Sequence, residues 1–266
     1  MIDVKNVSFS YGDKKVLSDI KAQFKVGESA FIIGANGSGK STLLSLIARL
    51  LTPKQGTINI DGENYKDISS KEFAKKVSIM IQQRKIPDIS VREFVSYGRY
   101  PYLSFSHSFS AEDERIVEDA LLKTNTKEFA QTPLSCLSGG ERQRVYIAML
   151  LAQNTPYILL DEPTTFLDIQ HSIEIMEILN ELKKDGKGII AVVHDVRAAF
   201  KYADRILILK DGKLILDSSA DTAYESSELT DALGITLKKV FIDGETEYFP
   251  VNIKKKRAAS PISRPD

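Results

Sequence analysis

The chain has 266 residues, 42% apolar and 27% charged, which fits a globular protein with one catalytic domain and a modest elaboration. Its 36 Lys and Arg balance 36 Asp and Glu, which removes the basic footprint of a nucleic-acid binder, so no nucleic-acid partner is expected. The lone Cys136 excludes an internal disulfide and reads as a small, partly buried residue beside a turn.

The N-terminus opens on an alternating stretch, Ile2 to Val7, with no basic region and apolar run of a secretory signal, so the chain is expected to stay in the cytoplasm. No apolar run approaches the roughly 20 residues that cross a bilayer; if a membrane is involved, other chains must cross it. Residues 1 to about 26 alternate around Tyr11-Gly12 as an antiparallel hairpin does. Ser29 to Ile33 is continuously apolar, then gives way through glycines to a helical pattern over Ser41 to Leu51. A strand pair around Asp61-Gly62 and the strand Val77 to Ile81 follow. Residues 84 to about 135 are charged and helical with aromatic loops, and are read as a helical subdomain, about 84–152, inserted into an α/β core. The core resumes with the strand Tyr157 to Leu160, a helix near Ile173 to Lys184, the strand Ile189 to Val193, and a hairpin turning at Asp211-Gly212. Residues 218–253 form a short C-terminal extension, and the tail 254–266 is expected to be disordered.

Gly34-Ala-Asn36-Gly37-Ser38-Gly39-Lys40-Ser41, set between a strand and a helix, reads as a phosphate loop. Its glycines let backbone N–H groups converge on phosphate oxygens at a helix N-terminus. Lys40 then reaches the β- and γ-phosphates of ATP, and the Ser41 hydroxyl ligates Mg²⁺. Asp161 and Glu162 end a buried strand on the ligand-binding edge of an α/β sheet. Asp161 suits the metal shell, and Glu162 suits the attacking water. His194 also ends a strand and is placed to touch the γ-phosphate; Gln82 is a candidate sensor of metal and water, with Gln83 competing. Ser138 reads as an N-cap before Gly139 and Gly140, and that helix start forms a second anion-suited surface, which makes sense if ATP lies between two subunits.

Over roughly residues 2 to 217 the chain resembles the nucleotide-binding subunit of an ABC transporter, a P-loop NTPase core with an N-terminal antiparallel β subdomain and an inserted helical subdomain. The motifs occur in order: Walker A (Gly34 to Ser41), Q-loop (Gln82), signature (Leu137 to Gln143), Walker B (Tyr157 to Glu162), D-loop (Thr165 to Asp168) and switch histidine (His194). The resemblance implies a 1–217 ATPase domain and a head-to-tail dimer with a second copy, each ATP held by one chain's phosphate loop and the other's signature. It further implies that Tyr11 stacks on adenine, that Thr42, Gln143 and Asp168 join the nucleotide-contacting set, and that Gln82 joins Ser41 and Asp161 at the metal.

A narrower resemblance rests on Val91 to Tyr102, Ser138 to Arg144 and Ile147 to Gln153, which look like the ATPases of ferric-siderophore, haem and cobalamin importers. It implies transmembrane permease subunits as partners, an extracytoplasmic solute-binding protein acting indirectly, and a place on the cytoplasmic face of the membrane. Iron-siderophore import is the expected function. The alternatives are import of haem, cobalamin or another solute, or a soluble non-transport ATPase of the same superfamily. The chain departs from the family at Thr165-Phe166, where a small pair is usual. The helical subdomain, with Tyr97, Tyr100, Tyr102, Phe105, Phe109 and an exposed Arg99, is expected to dock the membrane partner.

Overall fold

The computed structural model describes residues 1–81, 86–103, 108–242 and 244–252; Gln82, Gln83, Phe105 and the tail 254–266 lie outside them. The chain opens with β1 (Ile2–Tyr11) and β2 (Lys14–Phe24), paired antiparallel with Tyr11 opposite Lys14. β3 (Ser29–Ile33) runs into the glycine loop and α1 (Lys40–Ile47). β4 (Gln55–Ile60) lies against β1 and pairs with the short β5 (Glu63–Asn64), and α2 (Ser70–Lys76) leads into β6 (Val77–Met80). A helical stretch follows: α3 (Val91–Ser96), α4 (Ala111–Lys123) and α5 (Gly139–Gln153). The strand and helix alternation returns with β7 (Tyr157–Asp161), α6 (Ile169–Lys184), β8 (Gly188–Val192), α7 (Val196–Tyr202), β9 (Arg205–Lys210) and β10 (Lys213–Ser219). α8 (Ala220–Glu225), α9 (Ser227–Leu233) and the hairpin β11 (Ile235–Ile242) and β12 (Glu245–Asn252) complete the described chain.

The central sheet has the order β10-β9-β3-β8-β7-β6, with β10 alone antiparallel, and a second sheet has the order β2-β1-β4-β5. The inner strands β3, β7, β8 and β9 are mostly apolar along their length because both faces are covered. Ile32, Leu159, Ile190, Val192 and Leu207 face α1 and the N-terminal sheet, whereas Phe31, Leu160, Ile189, Ala191 and Ile206 face α5 and α6. Parallel register then sets the functional edge: Asp161 lies opposite Val192, Met80 opposite Leu160 and Ile32 opposite Val192, so the carboxyl ends of β3, β6, β7 and β8 emerge together.

α1 is shorter than its apolar pattern suggests. Arg49 sits at φ 61°, and its guanidinium donates to the Ile68 carbonyl at 2.6 Å over the Phe73 ring. Breaking the helix there lets Arg49 tie α1 to the segment before α2.

Two surface expectations are corrected. Arg99 is buried: its Nε donates to Asp113 Oδ1 at 2.9 Å, its Nη1 to the Ala152 carbonyl at 2.8 Å, and its guanidinium lies 4.0 Å from the Tyr102 ring centroid. This buried pair ties the helical stretch together, and charge reversal at Arg99 would confront Asp113 with a second buried carboxylate and unsettle the fold. Cys136 is exposed rather than partly buried, because Leu134 and Leu137 take the inward positions of that turn. The C-terminal hairpin packs through Tyr248, whose ring lies 5.5 Å from Phe200 on α7 and 5.7 Å from Tyr224 on α8.

Candidate functional site

The loop from Gly34 to Gly39 takes its shape from close approaches that only glycine tolerates. Gly34 lies at φ 153°, and a Cβ there would fall 2.2 Å from the Leu209 carbonyl oxygen; at Gly39, φ 104°, it would fall 2.6 Å from the Leu17 side chain. Asn36 and Gly37 are exposed at the loop's crest, while Ser38, Gly39 and Lys40 are buried. No side chain caps α1, so the amides of its first turn, including those of Ser41 and Thr42, are left to an external acceptor. The Ser38 hydroxyl is likewise buried without a partner. A loop that leaves its donors unmatched in this way fits an anionic ligand.

Lys40 Nζ donates to the carbonyls of Gly34 at 2.9 Å and Ala35 at 3.0 Å. Burial lowers the pKa of its ammonium, opposed by the nearby carboxylates of Glu162 and Asp161. Ser41 Oγ donates to Asp161 Oδ1 at 2.9 Å. Burial pushes the Asp161 carboxyl up; the Ser41 hydrogen bond opposes this, Glu162 adds to it, and Lys40 and His194 oppose it. Two adjoining oxygen donors suit a hard divalent cation that takes its remaining ligands from phosphate and water. Among the described residues no cluster of three His, Cys, Asp or Glu side chains offers a cage made by protein alone.

A stability test follows from Asp161. Its folded carboxyl binds a proton more tightly than the unfolded one, whose ordinary value is 3.8, so this group's contribution to stability falls as pH rises through the raised pKa. Asp161→Asn removes that partly buried charge and keeps an acceptor for Ser41. The ligand-free variant is expected to melt higher than the parent at pH 7, with the gap closing towards pH 4. Thermal melts at both pH values check this, and an unchanged or lower melting temperature at pH 7 contradicts it.

Glu162 and His194 meet directly. His194 Nε2 lies 2.5 Å from Glu162 Oε1, while the Thr165 hydroxyl donates to Glu162 Oε2 at 3.1 Å. Glu162 sits at φ 56°, with its N–H bonded to the Val192 carbonyl at 3.0 Å, so backbone and side chain are both fixed. Tyr11 is 54% exposed, its ring edge-on to Phe9 at 4.9 Å. Phe9 pairs with Leu17, the residue against Gly39, so the hairpin end bearing Tyr11 adjoins the loop.

Ser138 caps α5 through a capping box: its Oγ accepts from Glu141 N–H at 3.3 Å, and its own N–H donates to Glu141 Oε2 at 2.8 Å. Gly139 is exposed at that helix start. Gln143 turns inward and donates to the Pro163 carbonyl at 2.6 Å, tying α5 to the segment after β7. Asp168 caps α6. Sequence reasoning missed His171. Its Nδ1 lies 2.8 Å from Asp168 Oδ1, and its ring covers Gly140, where a Cβ would fall 2.5 Å from the imidazole. His171 thus joins Asp168 to the signature glycines of the same chain; the signal was the Asp-x-x-His spacing at a helix start.

Phosphate loop, paired acids and histidine at one edge of a parallel sheet define a P-loop nucleotide-binding ATPase core. The chain belongs to the ABC transporter family, which matches residues 17–165. It is 40% identical over 262 residues to the petrobactin import ATP-binding protein FpuC of Bacillus anthracis, covering 97% of this chain and 96% of that protein. It is 37% identical over 257 residues to the ferric enterobactin transport ATP-binding protein FepC of Escherichia coli (strain K12), covering 96% and 94%. The fold matches the ATP-binding cassette MJ0796 in a dimeric post-hydrolysis state bound to ADP and Pi, with TM-score 0.72 and 32% identity over 83% of this chain and 99% of that one.

Proposed function

We propose that the chain is the ATP-hydrolysing subunit of an ABC importer, closing with a second copy around two ATP molecules to drive uptake of an iron-siderophore complex. The observation that carries the reading is the meeting at one sheet edge of the Lys40 loop, the Ser41–Asp161 pair and the Glu162–His194 pair. The siderophore assignment is supported by what FpuC and FepC are named for.

The loop amides and Lys40 hold the β- and γ-phosphates, and Tyr11 stacks on adenine. Ser41 and Asp161 would hold Mg²⁺, which would supply positive charge to offset that of the phosphates. Glu162 accepts the proton of the attacking water as its oxygen bonds to the γ-phosphorus and the bond to the β–γ bridging oxygen breaks. His194 holds the Glu162 carboxylate in place and faces the γ-phosphate. Gln82 is proposed as the sensor between this site and the helical segment. Among the described residues no helix is long and apolar enough to cross a membrane; permease subunits would carry the solute across. The exposed rings of Tyr97 and Tyr100, tilted against each other at 4.9 Å with Phe109 beside them, support docking of a permease on the helical segment from the cytoplasmic face. A solute-binding protein acts on the permease from the other side.

The composite site is tested by mixing Lys40→Ala chains with Ser138→Arg chains, each also carrying Glu162→Gln. Heterodimers keep one site with a sound loop and a sound signature, so ATP should be trapped in the mixture and in neither parent. Absence of trapping in the mixture contradicts the reading. Purification of the complex from its own cells with identification of the bound solute tests the cargo; a solute without an iron chelate contradicts it.

A further inference from the structure

Phe166 is 92% exposed, the most exposed large apolar side chain among the described residues. Its backbone lies at φ 66°, a left-handed conformation unusual for a bulky residue. Backbone hydrogen bonds from Thr165 N–H to the Glu162 carbonyl and from Leu167 N–H to the Thr164 carbonyl hold the turn that directs it outward. A strained turn that exposes an aromatic ring is unexplained by the single chain.

The loop divides two cavities. Phe166 borders one of about 450 Å³ together with Gly139, Arg142 and Glu162. Its neighbours Thr165 and Leu167 line that cavity and also the other, a groove of about 550 Å³ between α6 and α7. Leu167, Met176, Ala198 and Tyr202 supply the apolar lining of that groove. Ile169 and Ile173, 74% and 46% exposed, add unpartnered apolar surface at it.

We infer that Phe166 of each copy seats in the α6–α7 groove of the other when two copies close on ATP. The inference rests on the proposed dimer and adds an anchor to it. A two-fold interface needs a projection and its matching recess on one self-complementary surface, and here they flank one loop. The surface is continuous with the nucleotide site: His194 and Thr165 line the groove, and Gly139 of the signature shares a cavity with Phe166. Whatever covers the signature therefore also reaches Phe166. A chain 32% identical to this one is dimeric with ADP and Pi bound, which makes a second copy the occupant.

The test uses the full chain carrying Glu162→Gln. Adding Phe166→Ala is expected to weaken ATP-dependent dimerisation by about tenfold or more, from the apolar area left exposed, while ATP binding by the monomer is unchanged. Phe166→Leu should recover part of the loss. In a Cys136→Ser background, mixing Phe166→Cys chains with Ile173→Cys chains should give an ATP-dependent disulfide between copies. A parent that dimerises with ATP while Phe166→Ala dimerises equally well, or a disulfide that joins two Phe166→Cys chains instead, overturns the seating alone. A Glu162→Gln parent that stays monomeric with ATP overturns the dimer reading together with it.

Discussion

Lys40→Ala is expected to lower kcat/KM for ATP hydrolysis by about 100-fold or more, equivalent to about 2.7 kcal/mol of lost transition-state stabilisation. The ammonium is buried and held by two carbonyls of its own loop, so on the proposed reading it is already placed within the loop that would receive the phosphates. Alanine leaves the loop amides in place but removes the only positive side chain buried within the loop. A second consequence concerns pH. Burial lowers the pKa of Lys40, so its charge is lost at a lower pH than that of an ordinary lysine at 10.5. ATP affinity should therefore decline on the alkaline side before ordinary lysines titrate, and Lys40→Ala should lose that limb. Titration of ATP binding against pH, with melting curves to confirm the fold, checks both statements. Hydrolysis by Lys40→Ala at the parental rate would remove Lys40 from the site.

Much of the sheet edge was legible because its physics is local. β3, β7 and β8 are short apolar runs that end just before Gly34, at Asp161-Glu162 and two residues before His194, and parallel pairing brings such ends together. The short helices were less legible. α2, α3 and α7 are each six or seven residues long, too few for a helical period to stand out, and only their caps at Ser69, Ser90 and Asp195 mark them. The hairpin of β11 and β12 was missed for a different reason. Most of β11 is exposed, so its alternation is weak, and its hold on the body comes from Tyr248 against α7 and α8, a contact distant in sequence. Arg99 shows the converse error, since a charged residue in an aromatic loop reads as surface until Asp113, 14 residues on, is seen beside it. His171 needed the tertiary fold as well, because Gly140 lies on another helix.

Glu162→Gln is expected to reduce kcat by about 10²- to 10⁴-fold while preserving ATP binding, the range set by loss of a general base. Glutamine keeps the shape of the side chain and can still accept from the Thr165 hydroxyl, so the left-handed turn at this residue has no new reason to move. It removes the negative charge that faces His194 and the basicity that takes up the water's proton. Binding and chemistry then separate: the loop and Lys40 still hold ATP, the two copies still close, and the cycle stops before cleavage. A dimer should accumulate with ATP and Mg²⁺ on sizing and stay absent with ADP. Asp161→Asn should behave differently, losing metal-dependent binding along with turnover, because Asp161 rather than Glu162 meets the Ser41 hydroxyl. Two carboxylates adjacent in sequence are thus assigned separate roles by what each one touches. A Glu162→Gln chain that turns over ATP at the parental rate, or an Asp161→Asn chain that traps the ATP dimer as Glu162→Gln does, would reverse or dissolve that division.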